Sequence, residues 1–234
     1  MAESTTYCDE VRGICADAGV EIAELSTHLQ GQLVAVSPAY DIAFDAFAST
    51  ACQKNPAKRQ AWAVEQMKKA AIASKRLNLT TSVSFTGALS FHYVYPWPQR
   101  PEGLIEEAFA ELGRRWTPIL DHYKEHGVSI GYEIHPGEDV FDGVTYETFV
   151  DATGGHDRAL INYDPNHFSF NKWIIWLLLT CITTGSMRFM LKMPNLTRMG
   201  AKAYIQAINL GSTGQAGLAV WVMVKLISRR FFPS

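Results

Sequence analysis

The chain has 234 residues, about the size of one large domain. Hydrophobic residues make up 47% and charged residues 19%, which excludes an intrinsically disordered chain; a net charge of −2 gives no global reason to expect nucleic acid. Cys8, Cys15, Cys52 and Cys181 form no CxxC pair and no metal-finger spacing, so they read as free thiols of a cytoplasmic protein. The opening MAESTTYCDEV is acidic and polar, unlike a signal peptide.

The elements alternate along the chain. Thr6 to Ala18 carries Val11, Ile14, Cys15 and Ala18 at helical spacing, with Gly19 as its stop, and Cys8 and Cys15 read as core positions of this helix. Glu21–Gln30 alternates like a strand. From Gln60 to Leu77 the set Ala63, Val64, Met67, Ala70 and Ala71 marks one helix face, and Lys68, Lys69, Lys75 and Arg76 its solvated side. Thr80–Leu89 has strand composition. The clearest element runs from Glu102 to His126, where Ile105, Ala108, Phe109, Leu112, Trp116, Ile119, Leu120 and Tyr123 keep a 3–4 spacing between Pro101 and Gly127. Val128–Pro136 is the third strand, Thr145–Ala152 a short helix, and Ala159–Phe168 the fourth strand.

Strand–helix–strand repeated at this spacing implies parallel strands with right-handed crossovers. Four such strands make half of a closed eight-strand barrel. In parallel α/β folds chemistry collects at the C-terminal strand ends. His28 follows the first strand and His92 lies beyond the second. Glu133 and His135 end the third, and Asp164 and His167 end the fourth. With a period of two, Glu133 and His135 share one side of their strand, opposite Tyr132 and Ile134. Carboxylates and imidazoles from neighbouring strand ends suit a divalent cation that polarises a sugar carbonyl, while a carboxylate moves a proton between adjacent carbons. Singly, each residue has a plainer reading: a strand-end His that is structural, an Asp-Pro turn, and HPGED as a Gly/Pro turn. Trp97, in the Pro- and aromatic-rich YVYPWPQRP (Tyr93–Pro101), either walls a sugar site by stacking or packs on its own domain.

YEIHPGED (Tyr132–Asp139) followed by INYDPNHF (Ile161–Phe168) resembles the sugar phosphate isomerase/epimerase family of xylose isomerase-like TIM barrels. STHLQGQLV (Ser26–Val34) and YPWPQRP (Tyr95–Pro101) are similar to a bacterial branch of it, and the similarity runs almost continuously over residues 7–168. The resemblance implies a partial (β/α)8 TIM barrel of about four βα units over residues 1–168. It also implies a small-molecule sugar as partner, while the charge distribution speaks against nucleic acid and the shortness of the longest apolar run against a membrane. In such enzymes a Glu, an Asp, a His and a final Glu from four strand ends hold one divalent metal ion (Mn, Mg, Zn or Co). Carried onto this chain, Glu133 is the first metal ligand and the proton-transfer base, and Asp164 is the second ligand. His167 contacts substrate, and His28 and His135 line the pocket. Two departures stand out. Family members usually have a strand and a helix before the point where this chain starts, and the later part with the metal-binding His and final Glu is not recognisable.

The charge distribution breaks at the same place. All 23 Asp and Glu residues lie in residues 1–164, which carry −10 with their 13 Lys and Arg, whereas the last 70 residues carry +8 and no acid. A folded surface mixes both signs. Residues 169–234 therefore read as a non-native tail, and a translation frame shift close to residues 168–172 accounts for it. Methionine has one codon, so Met187, Met190, Met193 and Met199 fix parts of the neighbouring frame. Read one base earlier, Ser186–Gly200 is compatible with HAFHVKDAEFNPNG, close to the family's string after the fourth strand. Trp173–Ile182 offers ten apolar residues, too few for the roughly 20 that span a bilayer.

Two other functions compete with a metal-dependent isomerase/epimerase. One is an abasic-site endonuclease on the same barrel type, against which the −10 of residues 1–164 argues. The other is a non-functional pseudogene fragment. The frame-shift reading makes a direct prediction: inserting one base near the codons for residues 168–172 should restore FHVKDAEFNP and an open frame that continues past Ser234. Resequencing that finds no such continuation would remove the frame-shift account. Half a barrel with two open edges and an apolar inner face is also expected to be poorly soluble.

Overall fold

A computed structural model describes residues 1–93, 99–162 and 164, and residues 221–226 as backbone. Trp97, His167 and nearly all of the 169–234 tail lie outside the described residues. In chain order the elements are α1 (Thr5–Asp17), β1 (Val20–Ser26), α2 (His28–Gly31), α3 (Asp41–Phe44), α4 (Pro56–Arg76), β2 (Thr81–Ser84), α5 (Leu104–Glu125), β3 (Ser129–Glu133), α6 (Gly143–Ala152), β4 (Ala159–Asn162) and β5 (Trp221–Leu226).

Helix ends follow local chemistry. Ser4 caps α1 by accepting the Tyr7 N–H, and Asn55 caps α4 by accepting the Lys58 N–H, with Pro56 at the first helical position. The Asn-Pro signal explains why α4 begins four residues before the expected Gln60. On α1 the buried stripe is Cys8, Val11 and Cys15, whereas Ile14 is 59% exposed, which corrects the expected face. Cys8, Cys15 and Cys52 are buried free thiols. On α5, Phe109, Leu112, Trp116, Ile119, Leu120 and Tyr123 are buried as the periodicity requires.

The four-strand parallel sheet runs β1-β2-β3-β4, each strand beside its neighbour in sequence, as βαβ units demand. Leu25, Ile130, Tyr132, Ile134, Ala159 and Ile161 enter the cores between sheet and helices. The Tyr132 ring lies edge-on to Trp116 of α5 and Phe149 of α6, with centroids 5.0 and 4.8 Å away. The strand register places the alternate residues on the opposite face: Glu24, Ser26, Thr81, Val83, Ser129, Gly131, Glu133, Leu160 and Asn162. This inner face is small and largely polar, not the apolar face expected. One expected open edge is also closed, because β5 pairs antiparallel with β1 from Val20↔Leu226 to Ser26↔Trp221. Both findings weaken the argument for poor solubility. Among the described residues no helix is long and apolar enough to cross a membrane.

Three strands end earlier than their composition suggests. β1 stops at Ser26, where the Thr27 hydroxyl donates to Val83 O at 2.8 Å and the chain turns into α2. β2 stops at Ser84, because the next backbone donors are taken by side chains. Gly87 N–H goes to Glu138, and Leu89, Ser90 and Phe91 N–H go to Asp139. β4 stops at Asn162.

Glycine sets the contact of α5 with α6. A Cβ at Gly113 would collide with Ala152 O and lie 2.7 Å from Ala152 C. Gly113→Ala should therefore lower stability by about 1–3 kcal/mol through overpacking. Gly13, within α1, has nothing inside 4 Å of the position that a Cβ would take. Gly13→Ala should therefore give the opposite sign, a gain of up to about 1 kcal/mol. Denaturant midpoints of the two variants check the pair; equal signs would contradict this packing.

Candidate active site

The C-terminal ends of β1, β3 and β4 bring four polar side chains into one chain of hydrogen bonds. Glu133, last in β3, points from the inner face with its side chain 13% exposed. Its Oε2 lies 2.9 Å from His28 Nε2 and accepts from Asn162 Nδ2 at 3.2 Å. The other ring nitrogen, His28 Nδ1, is 2.6 Å from Ser26 Oγ. A carboxylate only accepts, so Nε2 carries the proton toward Glu133; in the neutral ring the Ser26 hydroxyl then donates to Nδ1.

His28 reaches this position because α2 lies tight against β2. A Cβ at Gly31 would collide with Ser84 Oγ and come within 2.5 Å of Phe85 O. Phe85 then stands between two imidazoles, its ring 4.4 Å from His28 and 4.7 Å from His135. His135, two residues past Glu133, is set against Phe85. Asp164 is half-buried, two residues past Asn162.

Ser26, Phe85 and Asn162 were missed by sequence reasoning. Ser26 and Asn162 carry a usable signal, since each is the last residue of its strand on the face that Glu133 shares. The HPGED stretch is more than a turn. Asp139 accepts from Leu89 N–H (2.7 Å), Ser90 N–H (2.9 Å), Ser90 Oγ (3.0 Å) and Phe91 N–H (2.8 Å). Glu138 accepts from Gly87 N–H at 2.6 Å. Glu138 is fully enclosed, and burial, with smaller contributions from the charges of Asp139 and Glu133, pushes its carboxyl up to about 8.

The loop they hold forms one side of a pocket of about 260 Å³, lined by Ser37, Tyr40, Phe44, Ala88, Phe91, His92 and Gly137. The His92 ring meets Tyr93 at a tilt, with centroids 3.8 Å apart, and its Nε2 lies 3.4 Å from Ser37 Oγ. The opposite wall hangs on Arg59 of α4, which is 2% exposed. Its guanidinium donates to Asp41 O (2.7 Å), to Asp45 Oδ1 (2.8 Å) and to the Asp41 carboxylate.

The fit to a divalent ion is partial. Glu133 and Asp164 are both on this end of the sheet, but Glu133 is engaged by an imidazole and an amide. Among the described residues no three His, Cys, Asp or Glu ligand atoms gather within 4.8 Å of one another around it. The described residues at this end of the sheet do not by themselves make a metal centre.

A parallel α/β sheet with helices on its outer face and polar side chains at its C-terminal strand ends is the architecture of a partial α/β barrel. More narrowly, the family model described as xylose isomerase-like TIM barrel matches residues 1–213, and the chain belongs to that family. The crystal structure of a xylose isomerase domain protein from Planctomyces limnophilus is similar at 16% identity and a TM-score of 0.42, over 69% of this chain and 50% of that one. The chain thus spans about half the length of that solved protein. No curated protein matches.

Two outcomes follow from this geometry. A free Glu ionises near 4.5 and Glu138 near 8, so between these values the folded chain keeps a proton that the unfolded chain has released. Stability should be highest below that window and fall as pH rises through about 8. Glu138→Gln keeps an acceptor for Gly87 N–H and should flatten the slope, gaining on the order of a few kcal/mol above the window; parallel pH profiles of unfolding would refute this. Gly31→Ala should push α2 off β2 and separate His28 from Glu133, visible as a changed His28 imidazole NMR shift with the fold retained.

Proposed function

We propose that the site built on Glu133 is that of a sugar or sugar-phosphate isomerase/epimerase, and that the 234-residue chain does not turn over. The observation that carries the first half is the Glu133 carboxylate at the inner C-terminal end of β3, held through Oε2 by His28 and Asn162. A carboxylate so oriented removes the proton from a carbon beside a carbonyl: the C–H bond breaks, its electron pair forms an enediolate, and the carboxylic acid returns the proton to the same or the adjacent carbon. His28 is a positioning residue, fixing the carboxylate through one ring nitrogen while Ser26 fixes the ring through the other. A neutral sugar suits the mixed hydroxyl, amide and aromatic surroundings. The −10 of residues 1–164 speaks against a DNA partner.

The second half rests on ligand number. The enediolate oxygen needs an electrophile, which the family resemblance assigns to a divalent ion with two ligands beyond Glu133 and Asp164. Residues 165–234 contain no acid to supply the final Glu. An ion with two protein ligands keeps most of its water and gains little over free solution. On this reading residues 169–234 are out-of-frame product attached to the front half of a barrel.

Solvent-deuterium exchange followed by NMR tests the proposal. The present chain should bind Mn2+ weakly and leave the proton next to a ketose carbonyl unexchanged. The frame-restored protein should exchange it, and Glu133→Gln in that protein should abolish exchange while circular dichroism is unchanged. Exchange at the parent rate in the Gln variant would take Glu133 out of the mechanism, and tight Mn2+ binding by the 234-residue chain would overturn the ligand count.

A further inference from the structure

The last turn of α5 carries the sequence HYKEH, with His122 and His126 one helical turn apart and Glu125 between them. Residues four apart on a helix share a face, and a His pair at that spacing converges on a common point. The ligand atoms of all three side chains lie within 4.8 Å of one another, the one such group among the described residues. His122 Nδ1 is 3.5 Å from Glu125 Oε2, close to the roughly 3.3 Å edge of a tetrahedron with 2.0–2.1 Å zinc bonds. The two imidazoles lie with centroids 4.4 Å apart.

We propose that His122, Glu125 and His126 form a surface site for a divalent late-transition ion, Zn2+ or Cu2+, with water completing the coordination. Three independent features favour it. First, His126 is already set as a ligand: its Nδ1 is 2.8 Å from His122 O, and donation there places the proton on Nδ1 and leaves the Nε2 lone pair for an ion. Second, His122 is half-buried, with its Nδ1 on the side of the Glu125 carboxylate. Third, the site sits at the C-terminal end of a 22-residue helix, whose dipole presents partial negative charge to a cation. The charge of Lys68 on α4 lies near enough to His122 to oppose a cation there. Imidazole ligation selects Zn2+ or Cu2+ over Mg2+ or Ca2+.

The site is separate from the one at Glu133. The end of α5 leads through Gly127 to Ser129, the first residue of β3, whereas Glu133 is the last. About 13 Å of strand lies between the two ends. An ion here would clamp the last turn of α5 at the opposite rim of the sheet, so its role is in holding structure, not in the proposed proton transfer.

The test uses the full chain carrying Glu133→Gln, which removes the carboxylate at the other rim. Titrated with Cu2+, it should bind one equivalent with the hyperfine pattern of two nitrogens in electron paramagnetic resonance, and Zn2+ should displace the signal. His126→Gln on the same background should weaken binding at least tenfold, and Lys68→Gln should tighten it. Zn2+ should raise the melting temperature of the parent and not of the His126→Gln chain, because the pair converges only in the folded helix. Unchanged affinity in His126→Gln, at unchanged helix content, would overturn the site. So would a one-nitrogen Cu2+ signal in the parent, or a melting temperature indifferent to Zn2+. None of these readings depends on whether Glu133 moves a proton.

Discussion

Two buried acids, Glu138 and Asp139, hold the candidate active site together. Between them they accept four backbone N–H groups from the segment that follows β2, and Asp139 takes the Ser90 hydroxyl as well. A buried backbone donor without a partner costs about 1–3 kcal/mol, so these carboxyls decide where β2 ends and how its connection folds. They also tie the end of β3 to the end of β2: Asp139 N–H returns a bond to Gly87 O, and the Trp116 indole on α5 donates to the neighbouring Thr86 O. The residues that follow Phe85, whose ring separates His28 from His135, are thereby fixed. The two acids divide the work unequally. Asp139 accepts three backbone N–H groups and a hydroxyl. Glu138 is enclosed and lies within reach of the charges of Asp139 and Glu133, which together outweigh the Gly87 N–H bond and hold the proton on its carboxyl.

Much of this was legible in the sequence, and unevenly so. The 3–4 periodicity of α5 and the alternation of β3 settle which faces are buried, since a slip of one residue would expose Ile130 and Tyr132. Glu133 stands out because its strand end and its motif agree. Ile14 has the spacing of a core residue and is exposed, because a helix lying on one sheet edge needs a narrower stripe than its apolar residues provide. Composition overruns the strand ends wherever side chains capture the backbone, as at Thr27 and Asp139, since it does not show which carboxylate will reach which loop. The pocket walls Tyr40 and Phe44 fall in short helical turns without any period to read.

The inner face of the sheet also bears on what kind of molecule this is. A closed barrel fills its interior with large branched side chains from alternate strands. Here Gly131, Ser26, Ser129 and Thr81 occupy those positions, with Val83 and Leu160 as the apolar exceptions. Gly131 is kept small by its neighbours, as a Cβ there would sit 3.3 Å from Asn162 Cβ. A sheet built with small inner residues leaves room above it, which the oriented carboxylate of Glu133 faces at its C-terminal end.

The Arg59 anchor gives part of the pocket a stability of its own. Both acids of the 38–47 segment converge on one guanidinium that α4 supplies, and Lys54 N–H adds a bond to Asp45. Such a segment opens as one cooperative unit: losing the guanidinium releases Asp41 and Asp45 together, and Tyr40 and Phe44 leave with them. Local opening of this kind needs less free energy than global unfolding. The pocket wall is therefore a foldon hinged on a single charged side chain, and amide exchange within it follows the lifetime of that ion cluster instead of the melting of the sheet.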